Sequence, residues 1–348
     1  MEQTSQSKTN AGRFFEDYRV GDVIRHAVPR TVSGGERALY QALYPARHAL
    51  YSSDEFARSA GLPKAPLEDL AAFHIVFGKT VPDVSLNAVA NLGYAEGRWH
   101  LPVYEGDTLR SESEVIGLKQ NSNGKTGVVW VRTRGLNQRD EVVMDYVRWV
   151  MVKKRDVDAP APETVVPELA EVIAPQDLRV PVGLDFTTYD FDLAGEPHRW
   201  GDYGLGEKID HVDGVTIEEA EHMLATRLWQ NTAKVHFDTT ARPDGTRLIY
   251  GGHVISMARA LSFNGLANAQ MIVGLNGGAH ANPCLSGTTI RAWSEVLDKA
   301  ETSAPGVGAI RLRLVATSGG APFALKSEDG KYLPEVLLDL DYWALMPI

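Results

Sequence analysis

Cysteine is almost missing from this chain: 348 residues contain one, Cys284. A disulfide within the chain is therefore excluded, as is a thiolate-rich metal site, and the usage fits a reducing cytosol. Long apolar runs are missing too. No stretch reaches the roughly 18 consecutive apolar residues that a membrane-spanning helix needs. The opening stretch MEQTSQSKTNAGRFF is polar and lacks the apolar core of a signal peptide. Basic residues are outnumbered, 35 Lys and Arg against 45 Asp and Glu, for a net charge of −10. Neither a nucleic acid nor an anionic membrane is the expected main partner. GxGxxG after a strand, the Walker loop, HExxH and GxSxG are all absent, and the ten histidines do not cluster at metal spacing. No metal is expected.

What is present is a duplication. VGDVIRHAVPRTV (20–32) matches LGEKIDHVDGVTI (205–217), with Gly21 on Gly206, Ile24 on Ile209, His26 on His211 and Thr31 on Thr216. LPVYEGDTLRSESEV (101–115) matches NPCLSGTTIRAWSEV (282–296), and EVVMDYVRWVMV (141–152) resembles EVLLDLDYWALM (335–346). Two domain-sized copies are a duplication, unlike the many short repeats of a solenoid. Between them, residues 156–182 hold five prolines, which exclude a central strand or a long helix. The expected organisation is an N-terminal domain over 1–155, a linker over 156–182 and a C-terminal domain over 183–348.

Each copy opens with a short helix. In the second, TIEEAEHMLATRLW has a Thr216–Glu219 capping-box pattern and apolar Ile217, Ala220, Leu224 and Leu228 at helical spacing. A polar loop and a longer apolar helix follow: HVISMARALSFNGLANA from His253, paired with HIVFGKTV from His74. Strands such as TGVVWVRTRGL (126–136) and GAIRLRLVATS (308–318) come next. Helix followed by antiparallel strands is an α+β pattern.

Five stretches carry a resemblance over essentially the whole chain: HIVFGKTVPDVSLNAVANLGYAEGRW, GLNQRDEVVMDYVRWVMVKKRD, NTAKVHFD, YGGHVISMARALSFNGLANA and HANPCLSGTTIRAWSEVLDK. The chain resembles the MaoC-like dehydratases, and within them the mesaconyl-CoA hydratase (β-methylmalyl-CoA dehydratase) group. The resemblance implies two tandem hot-dog domains, each an antiparallel sheet wrapped around a central helix. It also implies an acyl-CoA substrate, no cofactor beyond the CoA that the substrate carries, and a place in the ethylmalonyl-CoA route or in glyoxylate handling.

The family motif is Gly-Asp-x-Asn-Pro-x-His, in which the Asp and His aim a water at an enoyl thioester. On that motif His236 takes the His position, but Asn231 takes the Asp position, Ala233 the Asn and Lys234 the Pro. The first copy has Ala46 and Tyr51 at the Asp and His positions, so it is expected to shape the acyl-CoA tunnel without catalysing. An amide is no base. The substrate implied by the resemblance has a free carboxylate on the carbon that water attacks. A second carboxylate about 4 Å away would repel it by roughly 4 kcal/mol at an effective dielectric near 20. Asn231 keeps the shape without the charge and still accepts a hydrogen bond from the water, leaving His236 as the main base, with Asp238 or Glu221 as helpers.

The family's oxyanion donors map, in reversed order, onto Gly252 and His253, at a helix start where backbone N–H groups suit a developing negative charge. Arg227 and Arg259 are the candidates for the substrate carboxylate. Hydration of a plain enoyl-CoA, silent acyl-CoA binding and a thioesterase are the other uses of such a fold. A cytoplasmic location and a further homodimer are compatible with the sequence.

Overall fold

Strand-forming runs of alternating polarity build one sheet, and the two apolar helices lie against it. A computed structural model describes residues 8–348; the start of the polar opening stretch, residues 1–7, lies outside the described residues. The strands are β1 (Val23–Thr31), β2 (Ala88–Trp99), β3 (Thr108–Gln120), β4 (Thr126–Leu136), β5 (Val142–Lys153), β6 (Lys208–Thr216), β7 (Met271–His280), β8 (Thr289–Glu301), β9 (Val307–Thr317) and β10 (Val336–Pro347). They pair in the order β1-β3-β4-β5-β2-β7-β10-β9-β8-β6, with every pair antiparallel. Each half supplies one end of the sheet, and the two meet where Tyr94 of β2 faces Gly278 of β7. The α+β, double hot-dog architecture is thus present.

Four helices matter for the site: α1 (Gly34–Leu43), α2 (Asp69–Thr80), α3 (Glu219–Leu228) and α4 (Gly251–Leu261). α2 is buried all round, including Leu70, Phe73, Ile75 and Phe77. A helix apolar on every side belongs in a core. Each such large side chain contributes about 1.5–3 kcal/mol by leaving water.

The duplication repeats hydrogen bond by hydrogen bond. His26 Nε2 meets Ser113 Oγ at 2.8 Å, and His211 Nε2 meets Ser294 Oγ at 2.8 Å. Thr31 and Thr108 share a hydroxyl bond of 2.8 Å, and Thr216 and Thr289 one of 2.7 Å. The central helices have a different register from that expected. Leu67 N–H donates to Val103 O (2.7 Å) as Ile249 N–H does to Cys284 O (2.9 Å). Thr80 Oγ1 donates to Phe77 O and Ser262 Oγ to Arg259 O, both at 2.7 Å. Asp69 therefore corresponds to Gly251, Phe77 to Arg259 and Thr80 to Ser262. His74 corresponds to Ser256, not His253, and the two equivalents touch, His74 Nε2 to Ser256 Oγ at 2.7 Å.

α3 also departs from its expected form. Thr216 ends β6, and the helix starts at Glu219 with the Glu221 carboxylate accepting from Glu218 N–H (3.1 Å). Its buried face holds His222, Ala225 and Leu228, whereas Ala220 and Leu224 are exposed. A buried histidine broke the apolar stripe. Its Nε2 accepts from Tyr250 N–H at 2.9 Å, which ties α3 to the start of α4.

Residues 156–182 run in irregular backbone with one 3-10 turn, Pro175–Asp177. They bond to β3 through Leu118 and Val165 and reach the other half where Ile173 N–H donates to Asn276 Oδ1 (2.8 Å).

Candidate active site

The segment after α3 is forced into shape before its side chains act. Asn231 N–H closes onto Thr226 O (2.9 Å), and Gln230 has φ +57°, a conformation few non-glycine residues adopt. The turn packs directly on α2, where Gly78 is needed because a Cβ would meet the Trp229 carbonyl. A short helix, Lys234–Phe237, then presents His236.

His236 Nδ1 lies 2.7 Å from Leu248 O. A carbonyl only accepts, so Nδ1 carries the proton and Nε2 is left with a free lone pair. Burial holds the imidazole pKa below its usual value, partly offset by the Leu248 carbonyl, so the ring is neutral at pH 7. Asn231 is buried, and its Oδ1 accepts from Ala233 N–H at 3.3 Å. That contact orients the amide, leaving Nδ2 as the donor for the cavity. Asn231 thus offers N–H to a ligand, in addition to the second lone pair of the acceptor oxygen expected from the sequence.

Both residues line a cavity of about 280 Å³ between the two halves. One wall is His236, Asn231, Tyr250, Gly251, His280 and Cys284; the other is Phe77, Ser85, Asn91, Tyr94 and Arg148. Gly251 begins α4, and its N–H has no carbonyl partner inside the helix. A Cβ at Gly251 would strike the His280 ring. Burial pushes the Cys284 thiol up to about 11, which leaves it protonated and unreactive.

Several expected site residues do not line the cavity. His253 N–H bonds Tyr250 O (2.9 Å), and its ring is fully buried between Tyr44 OH (3.3 Å) and the Glu221 carboxylate (3.5 Å). Its backbone N–H is spent on Tyr250 O, and the residue does not line the cavity. Gly252 is buried one residue behind the cavity wall, against the Tyr250 ring. The helix starts one residue earlier than the motif suggested, so Gly251 occupies the expected donor place. Asp238 is exposed and caps the next turn, accepting from Thr240 N–H at 2.9 Å. Its counterpart Ser53 does the same for Phe56 N–H at 3.1 Å. Glu221 faces His253 and does not line the cavity. Arg227 is exposed at the end of α3, away from the cavity. Arg259 is buried, spending its guanidinium on Ser262 Oγ (3.0 Å), Ala269 O and Gln270 O (3.2 Å).

Arg148, Asn91, Tyr94 and His280 were not anticipated. Arg148 is fully buried on β5, opposite Tyr94 of β2. Its Nη2 donates to Thr80 Oγ1 at 2.6 Å and its guanidinium lies 4.3 Å from the centre of the Phe77 ring. His280 Nε2 lies 3.2 Å from Tyr94 OH, and burial lowers its pKa to about 4. The signal for Arg148 was visible: a lone cation inside the apolar run VVMDYVRWVMV.

A family model described as mesaconyl-CoA hydratase matches residues 3–319. The chain belongs to the mesaconyl-CoA hydratase family. It is 78% identical to a mesaconyl-CoA hydratase of Cereibacter sphaeroides, over 98% of this chain and 99% of that one. It is 57% identical to a β-methylmalyl-CoA dehydratase of Chloroflexus aurantiacus, again over 98% and 99%. A solved MaoC domain protein dehydratase from Chloroflexus aurantiacus superposes with a TM-score of 0.96 at 56% identity, covering 98% of this chain and 99% of that one. A Mycobacterium tuberculosis protein described as a double hotdog fold shares the architecture, with a TM-score of 0.75 at 24% identity over 96% and 98% of the two chains.

In this member of the mesaconyl-CoA hydratase family the N-terminal copy of the site is filled from within. Tyr51, at the His236 position, donates its hydroxyl to the buried Asp69 carboxylate. Asp69 Oδ2 also accepts from Ile272 N–H at 2.6 Å, and Trp99 Nε1 donates to Asp69 O at 3.0 Å. Burial raises the Asp69 pKa to about 7, so the carboxyl holds its proton well above the usual carboxylate range. Among the described residues no group of three or more His, Cys, Asp or Glu is placed to hold a metal, and no helix is long and apolar enough to cross a membrane.

Proposed function

We propose that the protein adds water reversibly to mesaconyl-CoA (2-methylfumaryl-CoA, thioester at carbon 1) to give β-methylmalyl-CoA. The observation that carries this reading is His236, with Nδ1 held by Leu248 O and a free Nε2 in the cavity between the halves. The names of the two relatives, 78% and 57% identical over nearly full length, supply the substrate.

The neutral Nε2 takes a proton from water while Asn231 Nδ2 donates to the water oxygen. The hydroxyl joins carbon 3, and the alkene electrons move through carbon 2 onto the thioester oxygen. Gly251 N–H, at the positive end of α4, stabilises that oxygen. The imidazolium then returns the proton to carbon 2, which closes the cycle with water consumed and the base regenerated. The step is redox-neutral and draws on nothing beyond the CoA thioester. The single, buried, protonated thiol suits a reducing cytoplasm.

The test is loss of enoyl-thioester absorbance with mesaconyl-CoA and with crotonyl-CoA, for wild type and His236→Ala. Turnover of mesaconyl-CoA that the substitution removes supports the reading. Better turnover of crotonyl-CoA would make the protein a general enoyl-CoA hydratase, and turnover of neither a silent acyl-CoA binder.

A further inference from the structure

Arg148 has an unusual electrostatic setting. It is fully buried, yet among the described residues no carboxylate lies within 4 Å of its guanidinium. Its polar partners are the hydroxyls of Thr80 (2.6 Å) and Ser85 (3.4 and 3.5 Å), and its Nε has none. Burying a guanidinium without a counter-charge is costly. Near it on the same cavity wall, both polar atoms of the Asn91 amide are also buried and unpartnered.

The other half shows what such a cation is built to meet. β5 and β10 correspond with Arg148 on Tyr342, since Arg148 faces Tyr94 as Tyr342 faces Leu275. By the same ladders Asn91, facing Val150, corresponds to Ile272, facing Ala344. Each half thus packs one arginine against one ring beneath an equivalent hydroxyl, with the partners exchanged. On the cavity side Arg148 of the strand covers Phe77 of the helix; on the filled side Arg259 of the helix lies 5.9 Å from the ring of Tyr342 of the strand. Arg259 has acids in its field: the buried Glu68 and Asp69, whose carboxyls it acts to lower. Asp69 in turn is held by Tyr51 and by Ile272 N–H, the counterparts of His236 and Asn91. On the cavity side Gly251 replaces Asp69, and the space is open.

We infer that Arg148, with Asn91, forms the subsite for the free carboxylate of the substrate, in the place that the Asp69 side chain fills in the other half. This deepens the hydratase reading and rests on it. A fixed guanidinium fork matches a carboxylate in shape and charge. The subsite selects a dicarboxylic acid monothioester over a plain acyl thioester, and its position against the cavity brings the carbon bearing that carboxylate to His236.

The test is binding to wild type, Arg148→Met and Asn91→Val of two saturated, unreactive thioesters. Methylsuccinyl-CoA carries the carboxylate, and 2-methylbutyryl-CoA has a methyl group in its place. Arg148→Met is expected to weaken methylsuccinyl-CoA on the order of 100-fold and leave 2-methylbutyryl-CoA unchanged. Asn91→Val, a β-branched side chain like that of its counterpart Ile272, is expected to show the same selectivity with a smaller loss. It gives the answer if Arg148→Met fails to fold. Equal losses for both ligands, or no loss for either, would overturn the inference. Wild-type turnover of mesaconyl-CoA is measured alongside: its absence would sink the hydratase reading, whereas its presence with unselective variants would sink the subsite alone.

Discussion

The two halves share hydrogen bonds to within a tenth of an ångström at several equivalent places, yet only one half keeps an open histidine. At matching positions the C-terminal half has Asn231, His236, Gly251 and His280, and the N-terminal half has Ala46, Tyr51, Asp69 and Trp99. The first set leaves a cavity; the second bonds to itself through Tyr51, Asp69, Trp99 and Ile272 N–H. The contrast separates what the fold needs from what the chemistry needs. His26 and His211 recur with their serines because they hold the sheet. His236 does not recur because it has another task.

The largest effect expected in breaking this contrast is at the base. His236→Ala should lower kcat about 100- to 10,000-fold, measured by loss of enoyl-thioester absorbance, while Tyr51→Phe leaves kcat unchanged. A comparable loss from Tyr51→Phe would mean that the halves are not divided as described. Next comes the neighbour of the base. Asn231→Asp places a charge beside the substrate carboxylate, with a repulsion of roughly 4 kcal/mol at 4 Å, so kcat/KM for mesaconyl-CoA should fall by orders of magnitude. A gain of activity would remove the charge argument for the amide.

A pH profile sharpens the same point. Only neutral His236 accepts a proton, and its pKa lies below the usual 6.5. kcat/KM should therefore be flat near neutrality and fall tenfold per pH unit only below that depressed value. A break above 6.5 would contradict the buried, carbonyl-bonded geometry. Acid should also weaken the fold in both halves. His74 and His222 are lowered to about 3, and His211 and His280 to about 4, by burial. The unfolded chain takes up these protons from about pH 6.5 downward and the folded chain does not. Stability is thus lost progressively between about pH 6.5 and 3, and urea midpoints across that range would show it.

Smaller effects distinguish support from chemistry. Tyr51→Phe removes a hydroxyl from a buried carboxyl and should cost about 1–3 kcal/mol of stability, read from urea denaturation. Asp238→Ala loses only an exposed turn cap, so kcat should hold; a large loss there would return Asp238 to the catalytic group.

The architecture was legible because repeats and strand periods survive in single residues. β4 begins and ends where TGVVWVRTRGL does, and β9 lies one residue from its expected span. The site was legible only along the chain. His236 and Asn231 are five residues apart and share one turn, so spacing found them. Arg148 stands out as a lone cation in an apolar run, but that it and Asn91 reach the cavity from the opposite half across a sheet seam is a meeting no local pattern reports. Arg227 and Arg259 were attractive because they flank the motif, but one faces solvent and the other is tied to carbonyls. The His74–His253 match misled for a related reason: one shared letter at a helix start does not fix register, whereas paired backbone bonds do.

The most direct measurement of the central claim is the stoichiometry of methylsuccinyl-CoA binding by titration calorimetry on the wild-type chain. One open site and one filled site predict a single ligand per chain, displaced by mesaconyl-CoA. Two ligands per chain would contradict the account, because the place occupied by Asp69 would then have to open.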